Sequence, residues 1–327
     1  MFGKVTINDI AKLVGVSKAT VSYYLSGNYK KMSLATKEKI RQAIEVTGYQ
    51  PSKVAQSLVT RDTKTIGVVI ADITNPFISF VMKGINDTCT LHGYAATFTN
   101  SDNDLNQELD NLRRLDQEKV SGVILDSVDA NNPMIKTLDN QKMVMVDRQS
   151  KNLTLDTIVS DNTYSTSKFL KKMQAAGYED IYFVTFPITG ISTREARYLG
   201  FTETVSSDPS KLITLGEAET EKKIFSIIEK AQKRTAFFMM NGPTLLEFMK
   251  MLNKTDYRYP DDFGLGSYED LDWMEVLNPN MSCIRQDSYG LGCVAAECLI
   301  DKIKHDDQTY KPQLIEVRND IVLRKSF

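Results

Sequence analysis

The chain has 327 residues, 42% hydrophobic, 9% aromatic and 25% charged, the balance of a folded protein of two or three domains and not of a disordered or fibrous one. No apolar run approaches the roughly 18 residues that span a bilayer, and Met1-Phe2-Gly3-Lys4-Val5 lacks the apolar stretch of a secretion signal, so a cytoplasmic location is expected. The formal charge of −2 conceals a division, because residues 1–64 hold 11 Lys/Arg against 4 Asp/Glu, net +7, leaving −9 for the remainder.

Thr6 followed three residues later by Asp9 has the spacing of a capping box, opening a helix with Ile7, Ile10 and Ala11 on one face. Gly15 ends it in a tight turn, and Ser17 caps a second helix through Leu25 whose Val21 and Leu25 form an i, i+4 apolar pair. This is a helix-turn-helix pattern. Ser33 caps a third helix, with Ile40, Ala43 and Ile44 inward, that stops at Gly48. On the second helix Lys18, Ala19, Ser22 and Tyr23 lie opposite the apolar pair and are short or hydrogen-bonding, as a helix in a major groove requires. Together with the local positive charge, which attracts phosphates whatever the net charge of the whole, they point to DNA binding. Pro51 to Thr60 has the length of about two helical turns, too short to stand alone, and Arg61-Asp62-Thr63-Lys64 reads as a linker.

From Thr65 onward apolar runs alternate with amphipathic helices: Ile66 to Ile70, Ala95 to Phe98, Gly122 to Leu125, Met143 to Val146, Ile181 to Val184, Leu212 to Leu215 and Ala236 to Met240. The alternation predicts a doubly wound α/β body with parallel sheets. Ligands bind beyond the carboxyl ends of such strands, which singles out Asp72 with Asn75-Pro76-Phe77, Asp147-Arg148, Asp161-Asn162, Asn241 and Glu269-Asp270. Each alone reads first as an ordinary cap or turn residue, and their shared edge is what raises them.

Catalytic patterns are wanting. Gly290-Leu-Gly292-Cys-Val-Ala295 fits the dinucleotide fingerprint but stands near the carboxyl end, and Leu291, Val294, Ala295, Cys298 and Leu299 at helical spacing make it a core helix. Cys89, Cys283, Cys293 and Cys298 have no CxxC spacing and are expected to be reduced and buried. His92 and His305 fall at helix ends. No catalytic residue, metal site or cofactor is indicated, and the chain is not expected to be an enzyme.

Val5-Thr-Ile-Asn-Asp-Ile-Ala, Val16-Ser-Lys-Ala-Thr-Val-Ser-Tyr-Tyr-Leu-Ser-Gly and Gly48-Tyr-Gln-Pro together resemble the head of LacI/GalR-type bacterial repressors. The likeness extends through Asp72-Ile-Thr-Asn-Pro-Phe, Val146-Asp-Arg, Val159-Ser-Asp-Asn, Arg197-Tyr-Leu-Gly-Phe, Ile284-Arg-Gln-Asp and Ile321-Val-Leu-Arg-Lys-Ser. The resemblance implies a three-helix DNA-binding head with a hinge helix over 1–60. A two-lobed body like a periplasmic binding protein follows, with 61–162 and 289–327 in one lobe, 163–288 in the other, crossovers near Asn162 and Ser288 and a last return near the terminus, at about 320. It implies DNA contacts from Thr6, Ser17, Lys18, Ala19, Thr20, Ser22 and Tyr23, and from Ala55 and Leu58 on the hinge helix. Leu58 would be a minor-groove wedge, although a leucine on so short a helix can equally pack into its own body.

For the effector the resemblance implies Asp72, Phe77, Arg148, Arg197, Asn241, Glu269 and Trp273, with Trp273 either stacking on a sugar ring or covering the hinge edge. Implied partners are a pseudo-palindromic operator duplex, a second copy of the chain, a sugar or sugar-acid effector and a helping corepressor protein, with no membrane and no cofactor. Arg148 and Arg197 favour an acidic effector, because arginine pairs bidentately with carboxylate and phosphate. Departures from the family pattern are Tyr23, where relatives carry arginine, and Asn241-Gly242 and Ser267-Tyr268-Glu269-Asp270 in the pocket. A solute-binding sensor would fit the body alone but leaves the basic head unexplained, and a sugar-metabolising enzyme has no residues to act with.

Overall fold

The structure, a computed structural model, describes residues 5–49, 63–137, 142–305 and 311–327, and the chain divides into two units, Met1–Lys64 and Thr65–Phe327. In the first, α1 (Ile7–Val14) opens on the expected box: Thr6 donates its N–H to the Asp9 carboxylate at 2.9 Å, and Asp9 donates its own to the Thr6 hydroxyl at 3.4 Å. Gly15, at φ 74°, turns the chain into α2 (Lys18–Leu25), where Ser17 Oγ accepts the Thr20 N–H at 3.1 Å. Ser33 does the same for Thr36 at the start of α3 (Leu34–Thr47). Such caps contribute about 1 kcal/mol each. Ile10, Val21 and Ile40 are fully buried at the centre, with Ala11, Ala43 and Tyr49 around them. The hinge segment 51–60, with Ala55 and Leu58, lies outside the described residues.

The second unit contains two six-stranded sheets. In the first lobe β1 (Thr65–Ile70), β2 (Ala95–Asn100), β3 (Gly122–Leu125), β4 (Met143–Val146), β5 (Asp156–Ser160) and β11 (Leu314–Val317) form an all-parallel sheet in the order β11-β5-β4-β3-β1-β2. It is covered by α4 (Pro76–Leu91), α5 (Leu105–Gln117) and α11 (Ser288–Lys304). In the second lobe β6 (Asp180–Thr185), β7 (Leu212–Thr214), β8 (Thr235–Met239), β9 (Gly264–Tyr268), β10 (Ser282–Arg285) and β12 (Asp320–Val322) follow the order β12-β10-β9-β8-β6-β7, with only β12 antiparallel. Its helices are α6 (Asn162–Ala175), α7 (Ser192–Thr204), α8 (Thr220–Glu229), α9 (Gly242–Leu252) and the short α10 (Asp272–Glu275). Central strands such as β3, β4 and β8 are buried throughout, which is why they read as unbroken apolar runs.

The chain crosses between lobes at 160–162, 285–288 and 317–320. The third crossing is the return near the terminus, and it corrects only the range 289–327, since the first lobe's share ends with β11 at 317. Residues 320–327 belong to the second: β12 pairs with β10, Ser326 Oγ donates to the Leu265 carbonyl and accepts the Ser282 N–H, and Phe327 packs edge-on to Phe169. Arg324 fixes the tail further, gripping Asp270 through both guanidinium nitrogens at 2.7 and 3.0 Å.

The glycines of the apparent dinucleotide fingerprint lie inside α11. A Cβ on Gly292 would come within 2.1 Å of the Val81 carbonyl oxygen on α4, and one on Gly84 within 2.2 Å of the Tyr289 carbonyl oxygen on α11. Paired glycines therefore let these two helices touch backbone to backbone. Leu291, Ala295 and Leu299 are buried as expected, with Val294 and Cys298 half-buried against the same core. Of the cysteines, Cys89 and Cys283 are buried, whereas Cys293 and Cys298 are only half-buried. All four are free thiols.

Candidate functional site

On the head, Val21 turns fully inward from α2, which sends the opposite face outward at helical spacing. Lys18 and Ala19 are exposed, Ser22 and Tyr23 half-buried. The Thr6, Ser17 and Thr20 hydroxyls are engaged at the helix starts, Thr6 with Asp9 and Ser17 with Thr20 at 2.9 Å. Lys31 Nζ stands 4.7 Å from the centre of the Tyr23 ring, and Lys37 Nζ stands 3.8 Å from that of Tyr29. Cations and aromatic rings thus share one small surface, a combination suited to phosphates flanking a read groove.

In the body, three of the seven expected effector residues, Phe77, Glu269 and Trp273, line one cleft, whereas Asp72, Arg148, Arg197 and Asn241 are not among the residues on its walls. The first sheet reverses its winding between β1 and β3, and there Asp126 Oδ2 accepts the Ala71 N–H at 3.2 Å. Asp72 beside it is held by Thr74 and Asn103, and these hydrogen bonds, the Thr74 hydroxyl foremost, keep its carboxyl below the usual range. Arg148 Nη1 donates to the carbonyls of Ser127 and Val128 at 3.0 and 3.2 Å, with its Nε 3.9 Å from Asp126 Oδ1. Glu108, buried on α5, holds the same loop by accepting from the Ser127 hydroxyl and the Val128 N–H.

From the second lobe comes Arg197, 4% exposed. Its Nε donates to Asn162 Oδ1 at 2.8 Å, Nη1 to the Met240 carbonyl at 3.0 Å and Nη2 to Gln286 Oε1 at 3.2 Å, while its plane lies 3.6 Å over the Tyr268 ring. Asn241 caps α9, accepting from the Thr244 N–H and hydroxyl, and Glu269 accepts the neighbouring Gly242 N–H at 2.9 Å. Phe77 and Trp273 line a common cleft of about 470 Å³ with Glu269, Arg285 and Gln286. A second hollow of about 230 Å³, with Asp147, Gln149, Asn162 and Thr193 on its walls, lies beyond. Arg197 bridges the two, bound to Asn162 of one and Gln286 of the other.

Charges in this region are tightly linked. Burial pushes Glu269 and Asp126 each up to about 7, against the pull of Arg197 on the first and Arg148 on the second. Burial likewise raises Asp147, against Arg197 and Arg148. Arg194 loses basicity to burial and then to its neighbours Arg148 and Arg197. The result is three guanidinium groups facing acids that are driven toward their neutral forms. Because the folded chain holds protons on Glu269 and Asp126 that the unfolded chain has released, the stability they confer is full below the ordinary carboxyl range and is lost as pH rises through about 7. The melting temperature of the body should therefore fall between pH 5 and pH 8, and Asp126→Asn with Glu269→Gln should flatten that slope. An unaltered slope in the double variant would remove these acids from the account.

Sequence reasoning missed Asp126 and the role of Gln286. Asp126 directly follows the apolar strand β3, as Asp72 follows β1 after Ala71, so the strand-end rule that found one could have found the other. Gln286 lies within a motif but carries no signal of its own contact. Among the described residues no cluster suits a metal ion, and no helix is long and apolar enough to cross a membrane.

Residues 6–52 match the family described as bacterial regulatory proteins, lacI family, and residues 63–236 match the periplasmic binding proteins and sugar binding domain of the LacI family. A periplasmic binding protein-like domain matches residues 170–327. The HTH-type transcriptional regulator KdgR of Bacillus subtilis (strain 168) is 32% identical over 99% of this chain and 98% of that protein. The chain belongs to the LacI family. Other relatives include the HTH-type transcriptional regulator PtxS of Pseudomonas putida, 30% identical over 99% of this chain and 96% of the relative, and the HTH-type transcriptional repressor PurR of Aliivibrio salmonicida, 27% identical over 98% of each. Among solved structures, the Lac repressor dimer bound to operator and the anti-inducer ONPF shares the fold, with a TM-score of 0.82 at 20% identity over 98% of each chain. The regulator CelR in its cellobiose complex matches with a TM-score of 0.71 at 20% identity, over 99% of this chain and 100% of the other. As a LacI-family protein the chain is a DNA-binding transcriptional regulator and not an enzyme.

Proposed function

We propose that this cytoplasmic regulator represses transcription as a homodimer on a pseudo-palindromic operator, and that an acidic sugar, a sugar acid or sugar phosphate, binds between its lobes and sets its DNA affinity. The observation that carries the effector class is the convergence of Arg148, Arg194 and Arg197 on a site whose acids Asp147 and Glu269 are pushed toward neutrality. Three guanidinium groups at a partly desolvated site favour an anion. Phe77 and Trp273 supply the apolar wall for a sugar ring, and Asp72 and Asn241 supply polar groups for hydroxyls. An effector alters DNA affinity only by preferring one lobe arrangement over another. Screening neutral sugars, sugar acids and sugar phosphates by thermal shift tests the reading, since a ligand at about 100 times its Kd stabilises by about 2.7 kcal/mol. Shifts with neutral sugars alone would overturn it.

On the head, Lys18, Ala19, Ser22 and Tyr23 face base edges in this reading, Thr6, Ser17 and Thr20 meet the backbone at the helix starts, and Ala55 lets the hinge helices of a dimer approach while Leu58 wedges a base step. Tyr23→Ala should relax base preference at one symmetric pair of operator positions and cost about 1–3 kcal/mol on the preferred site. A selected-site profile identical to the parent's would exclude Tyr23 from the reading set.

A further inference from the structure

Each of the three crossings between lobes reaches the same side chain. The first meets Arg197 through Asn162, whose Oδ1 accepts from Nε at 2.8 Å. The second meets it through Gln286, which accepts from Nη2 at 3.2 Å and at the same oxygen from the Ser160 hydroxyl of the first crossing at 3.1 Å. The third meets it through Tyr268: Asn319 donates to the Tyr268 hydroxyl at 2.8 Å, and the Tyr268 ring lies flat against the guanidinium. The first and third crossings are also joined directly, as Asp161 Oδ1 accepts the Asn319 N–H at 3.2 Å and Val317 accepts the Asp161 N–H at 3.0 Å.

A residue built chiefly to meet a ligand would keep its donors open. Arg197 instead commits three of its five N–H groups to oxygen acceptors of the protein, lies against Tyr268 and is 4% exposed. Arg148 and Arg194, both half-buried, are the more accessible cations. We infer that Arg197 is a fastener of the three-stranded hinge, holding the crossings in one relative arrangement with Gln286 and the Tyr268–Asn319 pair as its positioning residues. An anion arriving at the cleft then competes for, or completes, the donor set that fixes the hinge, so ligand occupancy and lobe angle share one side chain. That last step rests on the acidic-effector reading; the fastening does not.

Hydrogen exchange on the full chain, without ligand or DNA, separates the two. Arg197→Lys keeps the charge but replaces a planar fork by a point donor, and amides at 160–163, 285–288 and 317–320 should all exchange about tenfold faster while those of α8 keep their rates. Gln286→Ala should loosen the first and second crossings and Gln286→Glu restore them, whereas Tyr268→Phe, which keeps the ring and loses the hydroxyl, should loosen the third alone. Parental rates at two or more crossings in a folded Arg197→Lys protein would overturn the inference. Should that variant fail to fold, parental rates in both Gln286→Ala and Tyr268→Phe would overturn it equally.

Discussion

Arg197→Ala is expected to abolish the response to effector and to lower the stability of the body by about 3–5 kcal/mol, the usual cost of removing one member of a buried charged network. The loss has identifiable parts. Asn162 Oδ1 and the Met240 carbonyl lose the Arg197 donor, Gln286 Oε1 keeps only the Ser160 hydroxyl, and Glu269 and Asp147 lose the cation that draws them toward ionisation. The head carries its own core around Ile10, Val21 and Ile40, so operator binding persists while its modulation disappears. Calorimetry with whichever sugar acid or sugar phosphate stabilises the parent, alongside duplex titrations, reads both effects. Normal effector affinity in the variant would take Arg197 out of the pocket, and an undiminished urea midpoint would take it out of the buried network.

Gly292→Ala should be nearly as damaging, though it adds one methyl group and improves helix propensity by about 1 kcal/mol. The new Cβ would lie 2.1 Å from a backbone oxygen, and backbone cannot rotate aside as a side-chain tip can. The helices α4 and α11 must then separate, exposing the packing of Val81, Ile85, Leu291 and Ala295. Overpacking of this kind costs about 1–3 kcal/mol, and the upper end or beyond is expected because both partners are main chain. Gly84→Ala should behave alike from the other side, and the pair should be less than additive since either one already forces the helices apart. A denaturation midpoint equal to the parent's in either variant would show that the helices have slack.

The head was legible almost to the residue because its signals are local: Thr6, Ser17 and Ser33 cap, Gly15 and Gly48 turn at positive φ, and each lies beside the helix it bounds. The central strands were legible for a different reason, since burial on both faces leaves only apolar side chains. β5, with Asp156 and Ser160 at its ends, and the half-exposed β11 and β12 carry no such mark, and β11 finds its partner more than 150 residues away. The return of 320–327 to the second lobe rests on β12 pairing with β10, which periodicity does not encode and which the family resemblance alone implied. At the site, strand-end logic singled out Asp72, Arg148, Asn241 and Glu269, each of which follows a strand. It gave no sign of the bonds by which Arg197 joins Asn162, Met240 and Gln286, because such partners lie far off in the chain. The stretch around Gly290 and Gly292 was rightly read as a core helix from its apolar spacing, and the facing Val81 carbonyl gives the reason for Gly292: a neighbouring helix, like a phosphate, demands a missing Cβ.

The three crossings also order events during synthesis. Residues 5–49 contain everything the head core needs, but the first lobe waits for α11 and β11 and the second for β12, Arg324 and Ser326. At about 5–20 residues per second, a ribosome needs roughly 15–55 s to travel from the end of the head to the last residues that close the body. For that interval a nascent chain carries a head with its core complete, tethered to a body that has not closed. A chain cut short between residues 65 and 313 stays in that condition, with a head that can fold and a cleft that cannot command it.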